Sequence, residues 1–152
     1  HDDVLNSDGA SKIFDKNGNY LLPQVFPEGS PMHPSYGAGH ATVAGACTTV
    51  LKAMLDTENF VITDPQVPNS SGSSTNLYTG DVLTAEGELN KLANNIALGR
   101  DFAGVHWRTD TTLELGEQVA IQMLRDRKKM YHPAEGGIIF QFRKFDGNKV
   151  TI

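Results

Sequence analysis

Gly39-His-Ala-Thr-Val-Ala-Gly-Ala-Cys-Thr-Thr-Val-Leu-Lys-Ala-Met-Leu55 is the stretch that decides how this chain folds. It is apolar or small almost all round, with Lys52 as its one charged residue. A helix without a polar face belongs in the middle of a packed structure. Ala41, Ala44, Gly45 and Ala46 leave room for another backbone to come close. Cys47, in the same small and apolar run, reads as a buried thiol.

Two more helices are expected downstream. The first runs from Thr84 to about Val105, with Thr84 as N-cap, Glu86 and Glu88 in the first turn, and Leu89, Leu92, Ala93, Ile96 and Ala97 as an apolar stripe. The second runs from Asp110 or Thr111 to about Met130. Glu114 and Glu117 stand near its start and Arg125, Arg127, Lys128 and Lys129 near its end, as the helix dipole prefers, and His132-Pro133 stops it. Residues 138–152 alternate through Ile139, Gln141 and Arg143 around Asp146-Gly147, the pattern of a hairpin. Residues 1–37 read as loop because Asp8-Gly9, Asn17-Gly18, Pro23, Pro27, Gly29, Pro31 and Pro34 punctuate them, with a small hairpin turning at Asn17-Gly18. Residues 64–80, rich in Ser, Asn, Pro and Gly, read as a long loop. Phe102 and Trp107 are expected in the core. The sum is a mainly α single domain, 1–152, with long loops and a short C-terminal β-hairpin. Its first helix needs more than two neighbours, which points to a larger helical bundle.

The bulk numbers narrow the function. With 152 residues, 39% hydrophobic and 20% charged, the chain can bury a real core. A net charge of -5 argues against a general nucleic-acid binder. No apolar run approaches a membrane span. The single cysteine excludes an internal disulfide and a cysteine-based zinc cluster. The chain opens at His1 on a polar segment, so further sequence is expected upstream.

Two segments carry candidate chemistry. In Met32-His-Pro-Ser-Tyr-Gly-Ala-Gly-His40, Gly37 and Gly39 precede a helix start, whose free amides suit an anion. His40 adds a proton donor or acceptor there. In Arg100-Asp-Phe-Ala-Gly-Val-His106-Trp-Arg-Thr-Asp110, Arg100 offers a planar fork to an oxyanion. Asp110 is placed to hold one ring nitrogen of His106 and leave the other as nucleophile or ligand. Taken singly, each segment has a bland alternative: a glycine-rich helix entry with an incidental histidine, and a surface Arg-Asp pair beside a core histidine.

Taken together, the Gly-His and Arg-x5-His-x3-Asp patterns resemble the superfamily shared by the vanadium haloperoxidases and the histidine acid phosphatases. The stretches from His33 to Leu55 and from Leu98 to Glu117 are similar to the algal-type bromoperoxidases in particular, over about the last quarter to third of such an enzyme. The resemblance implies a helical-bundle portion of the haloperoxidase fold, with vanadate as cofactor. It implies His106 as the ligand to vanadium, Arg100 and the Gly39 amide as holders of vanadate oxygens, and His40 as the acid-base residue. His33 matches the extra histidine of bromoperoxidases, where fungal chloroperoxidases have an aromatic residue, so bromide and iodide are expected rather than chloride. Hydrogen peroxide would be the oxidant and an organic acceptor would take the halogen. Vanadium would stay pentavalent as a Lewis acid. A homo-oligomer, and an extracellular or cell-wall location, are further implications of the family.

The chain departs from the family pattern twice. Ala38 stands where the motif has serine, so one neutral donor is gone, worth roughly 0.5–1.5 kcal/mol. Ser35, three residues earlier, is a candidate replacement. The third motif, Lys-x6-Arg, is absent: seven residues beyond Lys12, Lys16, Lys52 and Lys91 stand Asn19, Pro23, Asn59 and Leu98. An anion beside Arg100 alone would be poorly neutralised. The basic pair is therefore expected from the remaining N-terminal part of the enzyme. Two alternatives stay open: a phosphatase of the same superfamily using His106 as nucleophile, and a catalytically silent module lacking the basic motif.

Overall fold

A computed structural model describes residues 2–21, 24–25, 32–131 and 137–152. The decisive stretch forms helix α3, Gly39–Met54, and it does sit at the centre, packed against α4 (Ala85–Phe102) on one side and α5 (Glu114–Lys129) on the other. The α3–α5 crossing is close because glycines meet backbone there. A Cβ on Gly116 would overlap the Thr42 carbonyl oxygen, and one on Gly45 would overlap that of Leu113. Thr84 caps α4 as expected, accepting the Gly87 amide at 3.1 Å. Helix α4 ends at Phe102, three residues earlier than expected, where Gly104 turns the chain at φ 77°. Helix α5 starts at Glu114 rather than Asp110 or Thr111, because both of those side chains are buried in other bonds.

The tail forms the expected hairpin, β3 (Gln141–Arg143) against β4 (Lys149–Thr151), in the register Phe142 opposite Val150. Phe140, Phe142 and Ile152 press on Ile121 and Leu124 of α5 and form the larger apolar core. A smaller cluster of Ala38, Ala41 and Ala97, with Leu113 against it, lies under the candidate site. Between 64 and 80 the expected loop contains a short antiparallel pair, β1 (Gln66–Pro68) with β2 (Thr75–Leu77).

Several expectations fail, each for a visible reason. The N-terminal region is not all loop: α1 (Asp2–Leu5) and α2 (Asp8–Asn17) precede the first motif. Ser7 caps α2 by accepting the Ala10 amide at 3.3 Å. Asn17-Gly18 is the C-cap of that helix rather than a hairpin turn, since Gly18 takes φ 70° and its amide donates to the Phe14 carbonyl at 2.8 Å. Cys47 is exposed, not buried. Positions 43, 47 and 54 share one side of α3, and neither α4 nor α5 covers Val43, Cys47 or Met54. Phe102 and Trp107 are 86% and 67% exposed and belong to no core cluster. Pro23, Pro27, Gly29, Pro31 and the stop at His132-Pro133 lie outside the described residues.

Candidate functional site

Helix α3 begins without a side-chain cap. Its N-cap residue, Ala38, has no side-chain acceptor, so the amides of the first turn at Gly39 and His40 have no such partner. Gly39 is open, with nothing within 4 Å of where a Cβ would stand. His40 is exposed beside it. A recess of about 570 Å³ opens there, lined by Gly39, His40, Val43, Ala44, Cys47 and Ile96.

The second segment closes on the first through Asp110. The Ala38 amide donates to the Asp110 carbonyl oxygen at 2.8 Å, which ties the glycine-led helix start to the loop after α4. The Asp110 carboxylate accepts the Trp107 amide at 3.1 Å and the Thr109 hydroxyl at 3.3 Å. His106 Nδ1 lies 3.4 Å from Asp110 Oδ2, the long end of a hydrogen bond, and both side chains are buried. The Trp107 amide, followed by His106, Ser35 and Thr109, holds the Asp110 carboxyl below the usual carboxylate range, against the opposing effect of desolvation. With Nδ1 turned to Asp110, Nε2 is the ring nitrogen of His106 left for a ligand or a reacting atom.

Arg100 stands in the last turn of α4, half-buried, six residues before His106. Ser35, partly buried before α3, is among the groups that hold the Asp110 carboxyl low. His33 is exposed, and its Nδ1 is 2.8 Å from the Pro34 carbonyl oxygen.

The donor set suits an oxyanion: an uncapped helix start, a guanidinium, and a buried histidine whose second nitrogen is oriented by a carboxylate. It does not suit a divalent cation, and the described residues contain no cluster of three or more His, Cys, Asp or Glu able to hold a metal ion. No helix among them is long and apolar enough to cross a membrane.

Residues 10–133 match the family described as the VCPO second helical-bundle domain. The chain belongs to that family. The VCPO-type bundle is also similar to proteins named vanadium-dependent bromoperoxidase. That of Corallina officinalis is 47% identical over 141 residues, covering 91% of this chain and 23% of its own length. That of Corallina pilulifera is 45% identical over 140 residues, with the same coverage. That of Ascophyllum nodosum is 44% identical over 137 residues, covering 88% of this chain and 24% of its own. The chain thus spans about a quarter of the length of these curated relatives.

Two supports of the candidate site had no signal in the sequence. Thr111 donates to Asp101 Oδ2 at 3.0 Å, joining the end of α4 to the loop that carries His106. The backbone of Asp110, through its carbonyl, joins the two motifs. Neither bond follows from residue type or spacing: the first depends on the path of the loop after α4, the second on where that loop meets the start of α3.

Proposed function

We propose that this chain is one domain, residues 1–152, of a vanadate-dependent bromoperoxidase, in which it supplies part of the oxyanion site. The observation that carries the reading is the bond from the Ala38 amide to the Asp110 carbonyl, which joins the two motifs. The Gly39 amide and the Arg100 guanidinium bind oxyanion oxygens. His106 presents Nε2 as the ligand to vanadium, held in that tautomer and orientation by Asp110. Bound vanadate supplies Lewis acidity at pentavalent metal.

The reaction is the oxidation of bromide or iodide by hydrogen peroxide. Two electrons pass from the halide to the peroxide, the O–O bond breaks, and one proton is consumed as hypohalous acid and water form. His40 moves that proton, receiving it from solvent at its exposed ring and passing it to the departing peroxide oxygen. His33, exposed on the loop before α3, contributes a second imidazole. The hypohalous acid then halogenates an organic acceptor.

One guanidinium does not neutralise a buried oxyanion. The remaining cations, a lysine and an arginine, come from another part of the parent polypeptide. A titration with vanadate, followed by peroxide and bromide, tests the reading beside hydrolysis of a phosphomonoester. The isolated chain is expected to bind vanadate weakly or not at all. The parent assembly is expected to oxidise bromide. Phosphomonoester turnover without halide oxidation would replace the peroxidase with a phosphatase. Full activity of the isolated chain would refute the split site.

A further inference from the structure

Helix α4 ends at Phe102, and the chain reaches His106 through a turn at Ala103-Gly104-Val105 whose residues are all buried. Within it the Ala103 amide donates to the Gly99 carbonyl at 3.0 Å, the Gly104 amide to the Asp101 carbonyl at 2.9 Å and the Val105 amide to the Arg100 carbonyl at 3.2 Å. Those bonds leave the carbonyl oxygens of Ala103 and Gly104, and a buried carbonyl needs a donor. Both donors come from the stretch between α2 and His33. The Val25 amide donates to the Ala103 carbonyl at 2.9 Å, and the Gln24 side-chain amide to the Gly104 carbonyl at 3.2 Å. Gly104 takes φ 77°, and glycine holds positive and negative φ about equally well, so its own backbone does little to fix the turn. The bonds from residues 24 and 25 hold it from outside. His106 thus stands between two attachments to the upstream chain, this one at 103–104 and the bond from the Ala38 amide at 110.

We infer that Gln24 is a positioning residue for the oxyanion site: with the Val25 amide it clamps the turn between Arg100 and His106, and so sets where the imidazole stands relative to the guanidinium. It acts through the Gly104 carbonyl and not by contact with the anion. The inference rests on the proposed function for the identity of that anion, whereas the clamp belongs to the chain whatever the site binds. Of the two donors, only that of Gln24 can be removed by changing a side chain, since the other is backbone. The loss of a hydrogen bond counts for more when it leaves a buried acceptor unpaired than when both partners return to water.

Gln24→Met keeps the length of the side chain and removes the donor. In the parent assembly it is expected to weaken vanadate binding by about 3–10-fold, the worth of one hydrogen bond whose acceptor stays buried. Gln24→Glu removes the same donor and sets a negative charge against the carbonyl, so it is expected to weaken binding at least as far. Both affinities are read well below the thermal midpoint. There a purely structural bond would lower the midpoint and leave the affinity unchanged, and that result would overturn the inference. Weakening by Gln24→Glu alone would also overturn it, since charge and not the clamp would then be the cause. Amide hydrogen exchange in the vanadate-free protein gives a second measurement. Gln24→Met is expected to speed exchange at Gly104 and Val105, whose amides close the turn, by about 3–10-fold, and unchanged exchange there would refute the clamp. An unaltered assembly that binds no vanadate would fail the proposed function instead, and the exchange result would still decide the clamp.

Discussion

At the scale of single residues, the two imidazoles are separated by burial. His106 is 7% exposed with a carboxylate behind it, whereas His40 faces solvent at an open helix start. The proposed ligand and the proposed proton carrier need those different settings. His106→Ala is therefore expected to abolish vanadate binding by the parent assembly. His40→Ala is expected to keep some binding and lose bromide turnover by about 10²–10⁴-fold, the usual reach of acid-base catalysis. Equal and small effects, read by titration and by rate, would count against the roles. Ala38→Ser addresses the missing hydroxyl. The N-cap position is non-helical at φ -57° and ψ 122°, so a serine there has two uses, to cap the first-turn amides of α3 or to meet the oxyanion. If its hydroxyl meets the oxyanion, vanadate tightens by about 0.5–1.5 kcal/mol, and an unchanged affinity would show the loop to be set differently.

At the scale of elements, close approach matters more than helix propensity. Gly116→Ala puts a methyl group into the Thr42 carbonyl, and α5 must move off α3 to admit it. The expected loss is about 1–3 kcal/mol or more, although alanine is the better helix former. Gly99→Ala, in α4 with nothing within 4 Å, is the control and is expected to gain about 0.5–1 kcal/mol. Denaturant midpoints of the two variants should move in opposite directions. The β3–β4 turn makes a pH prediction. Lys144, pairing with Asp146, and the Asn148 amide hold the Asp146 carboxyl down from 3.8 to about 2. A carboxyl lowered on folding stabilises above its unfolded value, and that contribution fades as the pH falls. It is complete above about pH 4 to 5 and lost between there and about pH 2. Asp146→Asn should flatten that part of the stability curve.

At the scale of the molecule, the hairpin is fastened to the bundle by charges under its edge. Lys52 is 1% exposed at the far end of α3 from His40, about 18 Å along the helix at 1.5 Å per residue. Its Nζ donates to Asn90 Oδ1 at 3.1 Å and lies 4.1 Å from the centre of the Phe145 ring. Glu117, equally buried, accepts the Phe145 amide at 2.8 Å. Arg143 and Lys149 of the hairpin both reach Glu58. Burial pushes the Lys52 amine down, and the charges of Glu117 and Glu86 oppose the shift. Lys52→Met removes one of the two cations that act on Glu117, leaving Lys144, and is expected to lower stability by about 1–3 kcal/mol. Adding Glu117→Gln should recover part of that loss. A double variant no more stable than the single one would show that the two charges are not coupled.

Sequence by itself determined what periodicity and composition can carry. The all-round apolar character of 39–55 placed a central helix, the cap and stripe of 84–97 placed another, and the alternation after 138 placed a hairpin. The Gly-His and Arg-x5-His patterns pointed to the candidate site, because the residue types an oxyanion requires are few and each pattern is short. Tertiary structure alone decided which sides were covered. Cys47, Phe102 and Trp107 have core-like side chains yet face outward, since burial depends on neighbours and not on residue type. Gly18 ended a helix where Asn-Gly resembled a hairpin turn, because the same φ > 0 serves both. The bond that unites the site runs between residues 38 and 110, a separation that no local pattern encodes.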